Sequence, residues 1–179
     1  MQFLLRLAHA IDWLSDRCAV FAKWSVLAAC FISAGNAVMR YAFDYSSNAF
    51  LEIQWYLFAV CVMFGAAQVL RVNEHVRVDV LYALYPSKGK VIIDLLGLIV
   101  FLMPFTLLMI HLSWPLVVTQ FVMGERSSNA GGLIRWPVTA TIPIGLTLLA
   151  LQGFSEIVKR IGWLMHVYEM DMHYERPLQ

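Results

Sequence analysis

Long runs of uncharged, mostly apolar residues constrain this chain more than any other feature of its sequence. Four such runs are 16, 18, 30 and 20 residues long, and they cover Trp24–Met39, Ile53–Leu70, Leu95–Gly124 and Trp136–Ser155. A helix of about 20 apolar residues crosses the hydrocarbon core of a bilayer, where a charge is expensive. Hydrophobic residues make up 60% of the 179 and charged residues 14%, which is too apolar for a soluble globule. The sequence therefore predicts an all-α integral membrane protein with four transmembrane helices.

The four spans are expected to form a single membrane domain, residues 1–179. Their limits are expected near residues 19–42, 50–71, 91–118 and 136–160. The third run is too long for one upright helix and carries Pro104 and Pro115, which favours one tilted or kinked helix. Two short helices are the alternative, but the run has no Gly, Asn or Asp cluster to form the turn between them.

The residues before the first span predict an amphipathic helix, about residues 2–16, that lies in the membrane interface. Charges interrupt this stretch, so it does not resemble a cleavable signal peptide. A frayed extension of span one is the alternative. Apolar residues recur there at helical spacing, with polar residues largely opposite: Phe3, Leu4, Leu7, Ala8, Ile11 and Leu14 against Gln2, Arg6, His9, Asp12 and Asp16.

The distribution of basic residues predicts the orientation. Ten of the 13 lie before span one, between spans two and three, or after span four, and these three regions share one side of the membrane. Cytoplasmic segments of membrane proteins carry an excess of Lys and Arg. The opposite side keeps Arg40, Arg126 and Arg135. Both termini are therefore expected in the cytoplasm.

Polar groups at bilayer depth are few, which argues against several classes of function. No carboxylate lies deep in a span, and His111 near the middle of the third run is interpreted as a hydrogen-bonding residue inside the helix bundle. His111 has no second histidine at its depth, so bis-histidine haem ligation is not expected. The three cysteines supply neither a metal site nor the pairs of a thiol oxidase. We expect no catalytic residue, metal or cofactor, and the net charge of +1 gives no reason to expect nucleic acid.

Charges at the membrane surface are more informative than those at depth. Arg40 and Glu52 bracket a short loop at one bilayer face, so we expect them to form an ion pair; two independently solvated charges are the alternative. The segment Arg71–Asp79 alternates charges with valines, which is typical of a segment along the membrane surface. Residues 124–135 are predicted to form a flexible polar loop.

Several of these residues together resemble one family. The stretch from Asn36 through Arg40 and Tyr41 is similar to the N-x-x-x-R-Y signature of the small membrane (Q-type) subunit of tripartite ATP-independent periplasmic (TRAP) transporters. Glu52 follows in the order that this family shows, although Gln54 stands near the place where many members carry a second carboxylate. The remaining matches run to residue 137: Phe64-Gly65-Ala66-Ala67, Arg71, the run Glu74 to Asp79 that includes His75 and Arg77, and Ser127 to Pro137.

The resemblance implies a non-catalytic small permease subunit of a sodium-coupled importer. In this family a periplasmic substrate-binding protein delivers an organic anion, a carboxylate or sulfonate, to a large multi-span membrane subunit. The small subunit packs against the scaffold of that subunit in the bacterial inner membrane, and it binds neither substrate nor ion. We therefore assign nine residues to partner-interface or structural roles: Asn36, Arg40, Tyr41, Glu52, Gly65, Arg71, His75, Arg77 and Asp79.

Two other classes of function remain as alternatives. A small homo-oligomeric exporter or channel would assemble its own pore, with His111 as the ionisable group facing the symmetry axis. A membrane electron-transfer subunit is the other, weakened by the missing haem ligands. Co-purification with a large hydrophobic partner, a homo-oligomer or a haem absorbance distinguishes the three.

The predicted orientation can be tested with reporter fusions. A reporter fused after Arg160 should be active in the cytoplasm, and one inserted within residues 127–132 should be active in the periplasm, because the basic residues segregate to the side of the termini. Reporter activity measured in both compartments checks the prediction. The reverse pattern, or a cytoplasmic signal from both fusions, would contradict the four-span topology.

Overall fold

The computed structural model describes residues 1–45, 47–73 and 85–169, and these form helices joined by short connections. Helix α1 spans Gln2–Phe43, α2 spans Asn48–Arg71, and α3 spans Ser87–Leu96. A π-helical segment, Gly97–Leu102, joins α3 to α4, Met103–Met123, and α5 spans Trp136–Leu164. Within these described ranges four helices, counting α3 to α4 as one of 37 residues, are long and apolar enough to cross a membrane. The predicted all-α membrane class is confirmed.

Helix α1 is longer than a membrane span. Its 42 residues would extend about 63 Å, roughly twice the thickness of the hydrocarbon core. The stretch predicted as a separate interfacial helix is helical, but it continues into span one without a break between residues 16 and 19. Helix α1 ends at Asp44, which adopts the left-handed conformation, and Ser47 caps α2 by accepting a hydrogen bond from the Ala49 N–H.

The third long run forms one continuous helix, as expected, and its irregular part lies just before Pro104. Residues 97–102 are π-helical, and the Met103 N–H bonds to the carbonyl of Leu98, five residues earlier. A proline ring clashes with the carbonyl four residues before it. A wider π turn gives the backbone room at that point, so Pro104 explains the position of the π segment.

Helix α5 is the centre of the bundle, since it packs against α1, α2 and α4. Small residues on α5 allow this close packing. A Cβ atom on Gly145 would lie 2.5 Å from the Cβ of Met63 and 2.8 Å from its carbonyl oxygen, so only glycine fits against α2 here. Membrane helices associate through such small residues because lipid provides little hydrophobic drive between helices.

Candidate functional site

Seven buried polar residues lie between the first half of α1 and the last half of α5. We call them the Asp12 cluster: Asp12, Ser15, Gln152, Ser155, Glu156, Lys159 and Arg160. The Asp12 carboxylate accepts hydrogen bonds of 2.9 Å from both Gln152 Nε2 and Ser155 Oγ, and Lys159 Nζ lies 2.8 Å from it. The three donors follow at helical spacing on one face of α5. One face of α5 therefore satisfies one buried carboxylate of α1.

The cluster continues across α5 to α3. Glu156 lies 2.9 Å from Lys159 Nζ and also accepts a hydrogen bond from Arg160. The Nη2 atom of Arg160 lies 3.3 Å from Asp94 in α3. A buried charge is stable only when it is paired and hydrogen-bonded. The alternation of acids and bases thus ties α1, α5 and α3 together.

Arg71 extends these contacts to α2. Its guanidinium forms an ion pair with Asp16 and donates a 3.3 Å hydrogen bond to the carbonyl of Asp12. Arg71 is one of the nine residues expected in partner-interface or structural roles. Its contacts within the chain connect the end of α2 with α1. Its side chain is about one-third exposed, so the pair with Asp16 contributes less than the buried Asp12–Lys159 pair.

At the opposite end of the bundle, Glu52 is 2% exposed and holds the connection between α4 and α5. Its carboxylate accepts hydrogen bonds from Ser127 Oγ, from Asn129 Nδ2 at 2.8 Å and from the Leu133 N–H at 2.7 Å. We call Glu52, Ser127, Asn129 and Leu133 the Glu52 clasp. All three donors belong to residues 124–135, so α2 directly positions this segment.

The segment predicted as a flexible loop is instead a small hairpin. The Ser127 N–H donates to Leu133 O at 2.9 Å, and the Arg135 N–H donates to Glu125 O at the same distance. A Cβ on Gly132 would lie 2.6 Å from the Cβ of Ser127, so the tight turn requires glycine. These bonds bring both backbone and side-chain donors to Glu52.

The structure shows no ion pair between Arg40 and Glu52 in the described part of the chain, so this prediction is wrong. Glu52 bonds to the hairpin, whereas Arg40 is exposed on the last turn of α1. Tyr41 is 86% exposed, and Gly65 is half-buried with no atom within 4 Å of a Cβ built on it. Asn36 is half-buried, and its Oδ1 atom has no hydrogen-bond partner among the described residues. Asn36, Arg40 and Tyr41 lie in the last turns of α1, and Gly65 lies in α2.

Three assigned residues, His75, Arg77 and Asp79, lie outside the described residues, as does most of the segment predicted to follow the membrane surface. Among the residues that are described, no group of three or more His, Cys, Asp or Glu side chains could hold a metal ion.

His111 is not inside the bundle, which corrects its interpretation as an internal hydrogen-bonding residue. It is exposed on α4. The inward side of α4 is formed by the buried residues Thr106, Val117 and Gln120, and Thr106 bonds to the carbonyls of its own helix.

The sequence pattern does not predict the Asp12 cluster, because Asp12 lies opposite the apolar stripe of the expected amphipathic helix. The apolar stripe is divided: Phe3 is 77% and Leu7 41% exposed, whereas Ala8 and Ile11 are buried. On the polar side Asp12 is buried against α5, whereas Arg6 and His9 are exposed. One feature of the sequence does point to the cluster. At the end of an apolar helix, four polar residues share one face by their spacing: Gln152, Glu156, Lys159 and Arg160.

Comparison with known proteins gives one match. The family model described as tripartite ATP-independent periplasmic transporters, DctQ component, matches residues 29–162, which is more than half of the chain. No curated protein and no solved structure matches significantly. The matched region includes the Glu52 clasp and the α5 part of the Asp12 cluster, whereas Asp12 precedes it.

Replacing Lys159 tests the Asp12 cluster. We expect Lys159→Met to lower the free energy of unfolding of the purified protein in detergent by about 3–5 kcal/mol, because it leaves a buried carboxylate without its close cation. The double variant Lys159→Met/Asp12→Asn should recover much of this loss. Asp16→Asn is the control, with an expected change below about 1 kcal/mol because Asp16 is partly exposed. Equal losses from Lys159→Met and Asp16→Asn would contradict the role of the buried pair.

Replacing Glu52 tests the clasp. We expect Glu52→Gln to speed hydrogen exchange of the Leu133 amide about tenfold or more, because the amide loses a charged acceptor. Mass-spectrometric exchange over residues 124–135 measures this. The matched control is Glu125→Gln, which alters only an exposed pair with Arg135. Arg40→Gln should leave the exchange rate of the Leu133 amide unchanged. An acceleration equal to that of Glu52→Gln would indicate that Arg40 does pair with Glu52.

Proposed function

The chain belongs to the DctQ component family of tripartite ATP-independent periplasmic transporters, and from this premise we propose that it supports a sodium-coupled importer of an organic anion. As a member of that family it is a small membrane component of a TRAP transporter and not an enzyme. The finer proposal is that it packs against the scaffold of a large membrane subunit, which receives a carboxylate or sulfonate from a periplasmic binding protein. We place it in the bacterial inner membrane with both termini in the cytoplasm.

The positions of the buried polar groups support a structural role for this chain within the transporter. The Asp12 cluster and the Glu52 clasp lie at opposite ends of the bundle. Within each of them the polar groups bond to one another. Between these ends α2 and α5 meet through Gly145 and Met63, without an intervening cavity at that point. A transport site needs polar groups at membrane depth that are available to a substrate or ion. The groups at the two ends are engaged in holding the fold.

In this orientation the two polar sites have different surroundings. The Asp12 cluster lies near the cytoplasmic face, and the Glu52 clasp presents its hairpin to the periplasm. The clasp would keep the hairpin in one conformation on the side where the binding protein arrives. The exposed pair between Arg135 and Glu125, 2.7 Å apart, also lies on this hairpin.

The proposal is tested by removing the chain from cells and restoring it from a plasmid. Radiolabelled carboxylates and sulfonates are offered in sodium buffer and in potassium buffer, with the binding protein present or deleted. We expect uptake of at least one anion to require the chain, sodium and the binding protein together. An affinity tag on the chain should recover a large membrane subunit. Recovery of a homo-oligomer alone, with uptake unaffected by the deletion, would favour the exporter or channel instead.

His111 provides a test of the non-catalytic role. We expect His111→Ala to lower the rate of uptake less than tenfold whenever the complex still assembles, because a scaffold partner contributes no group to the transport path. Initial uptake rates are compared at equal amounts of assembled complex, as measured by co-purification. A complete loss of transport in a fully assembled complex would contradict this role and place His111 in the transport chemistry.

A further inference from the structure

His111, on the outward face of α4, has two polar groups that lack an ordinary hydrogen-bond partner. The first is the His111 side chain, which is exposed and lies near the middle of the 30-residue uncharged run 95–124. A neutral imidazole carries one N–H donor and one nitrogen acceptor. No described residue of this chain forms a hydrogen bond or ion pair with the His111 ring.

The second group is the backbone carbonyl of His111. In an α-helix this carbonyl would accept a hydrogen bond from the N–H of residue 115, but residue 115 is a proline within α4. The nearby Ser113 hydroxyl donates to the carbonyl of Ile110 at 3.3 Å and not to that of His111. Proline in a membrane helix is tolerated where neighbouring helices or side chains satisfy the freed carbonyl.

The packing of α4 directs both groups away from the bundle. Among the other spanning helices α4 packs extensively on α5 alone, and it does so through the side that carries Val117 and Gln120. At about 100° per residue, His111 lies some 120–180° around the helix from these two residues. Its neighbours on the outward side are all exposed: Leu107, Leu108, Pro115, Val118 and Val122.

The depth of these groups excludes two ordinary ways of satisfying them. Water and lipid headgroups lie near the ends of the apolar run, about 15 residues or some 20 Å along the helix from His111. Lipid tails offer no hydrogen bonds, so the His111 ring would be without a partner in hydrocarbon. The exposed apolar residues around it form a surface on which a further membrane helix can pack.

We propose that the outward face of α4, centred on His111 and Pro115, is the surface that docks on the large membrane subunit. The occupant is a membrane helix of that subunit with a side chain that hydrogen-bonds His111 at this depth. A neutral imidazole offers one donor and one acceptor, so a polar side chain of the partner helix can bond to the ring in either way. This inference rests on the proposed function, because it names the face by which the small subunit joins the complex.

Site-specific photo-crosslinking tests the assignment in the assembled complex. A photoreactive p-benzoylphenylalanine replaces Leu108, which is 56% exposed beside His111, or Phe58 on α2, which is 66% exposed and serves as the control. After irradiation in membranes, we expect an adduct with the large subunit at position 108 and none at position 58. The adducts are identified by their mass and by tryptic peptides.

The other crosslinking results overturn the inference and separate it from the proposed function. An adduct at position 58 alone would show that another face docks, while the complex and the proposed function stand. A dimer of this chain, or only lipid adducts, at position 108 would assign the face to a second copy or to the bilayer. Failure of the tagged wild-type chain to recover any large subunit would overturn both proposals.

Substitution of His111 tests the hydrogen bond itself. We expect His111→Leu to weaken association with the large subunit about three- to tenfold, in line with interhelical hydrogen bonds in membranes, and His111→Gln to retain more of it. The recovered ratio of the two subunits over a detergent series measures association. The matched control is Leu112→Ala, which changes volume but no polar group. Unchanged association in His111→Leu, or an equal loss in Leu112→Ala, would overturn the proposed hydrogen bond.

Discussion

The buried ion pair between Asp12 and Lys159 is the interaction on which the arrangement of the helices depends. Asp12 lies on α1 and Lys159 on α5, 147 residues apart in sequence, and their charged atoms are 2.8 Å apart. Neither charge is stable in this buried position without the other. The pair therefore determines which faces of α1 and α5 meet. Gln152, Ser155 and Glu156 complete the hydrogen bonds that the two charges require.

The opposite end of the bundle follows the same principle with different chemistry. Glu52 is buried, but its partners are a hydroxyl, an amide and a backbone N–H rather than a cation. Hydrogen bonds from neutral donors satisfy a carboxylate when a fixed backbone holds the donors in position. The hairpin can supply them because Gly132 permits its tight turn. Polar contacts thus hold the two ends, while small residues such as Gly145 allow close packing between them.

The sequence predicted the helices well and the polar contacts poorly, for a physical reason. Each apolar run reflects the cost of placing charge in hydrocarbon, and this cost acts on every residue of a span independently of its neighbours. A contact between charges instead depends on which helix faces meet. Arg40 and Glu52 are close in sequence, yet Glu52 bonds to residues 75 to 81 positions later. Proximity along the chain favoured the wrong partner because the hairpin brings three donors to Glu52 at once.

The sequence by itself determined the class of the protein, its four spanning helices and, through the ordered motifs from Asn36 to Pro137, the resemblance that the family match supports. These properties follow from local composition and spacing, which folding does not alter. Only the tertiary structure decided that Asp12 faces α5, that Glu52 holds the hairpin and that His111 faces outward. An amphipathic pattern indicates that a helix has an apolar and a polar face. Which face packs against other helices depends on how those helices are arranged around it.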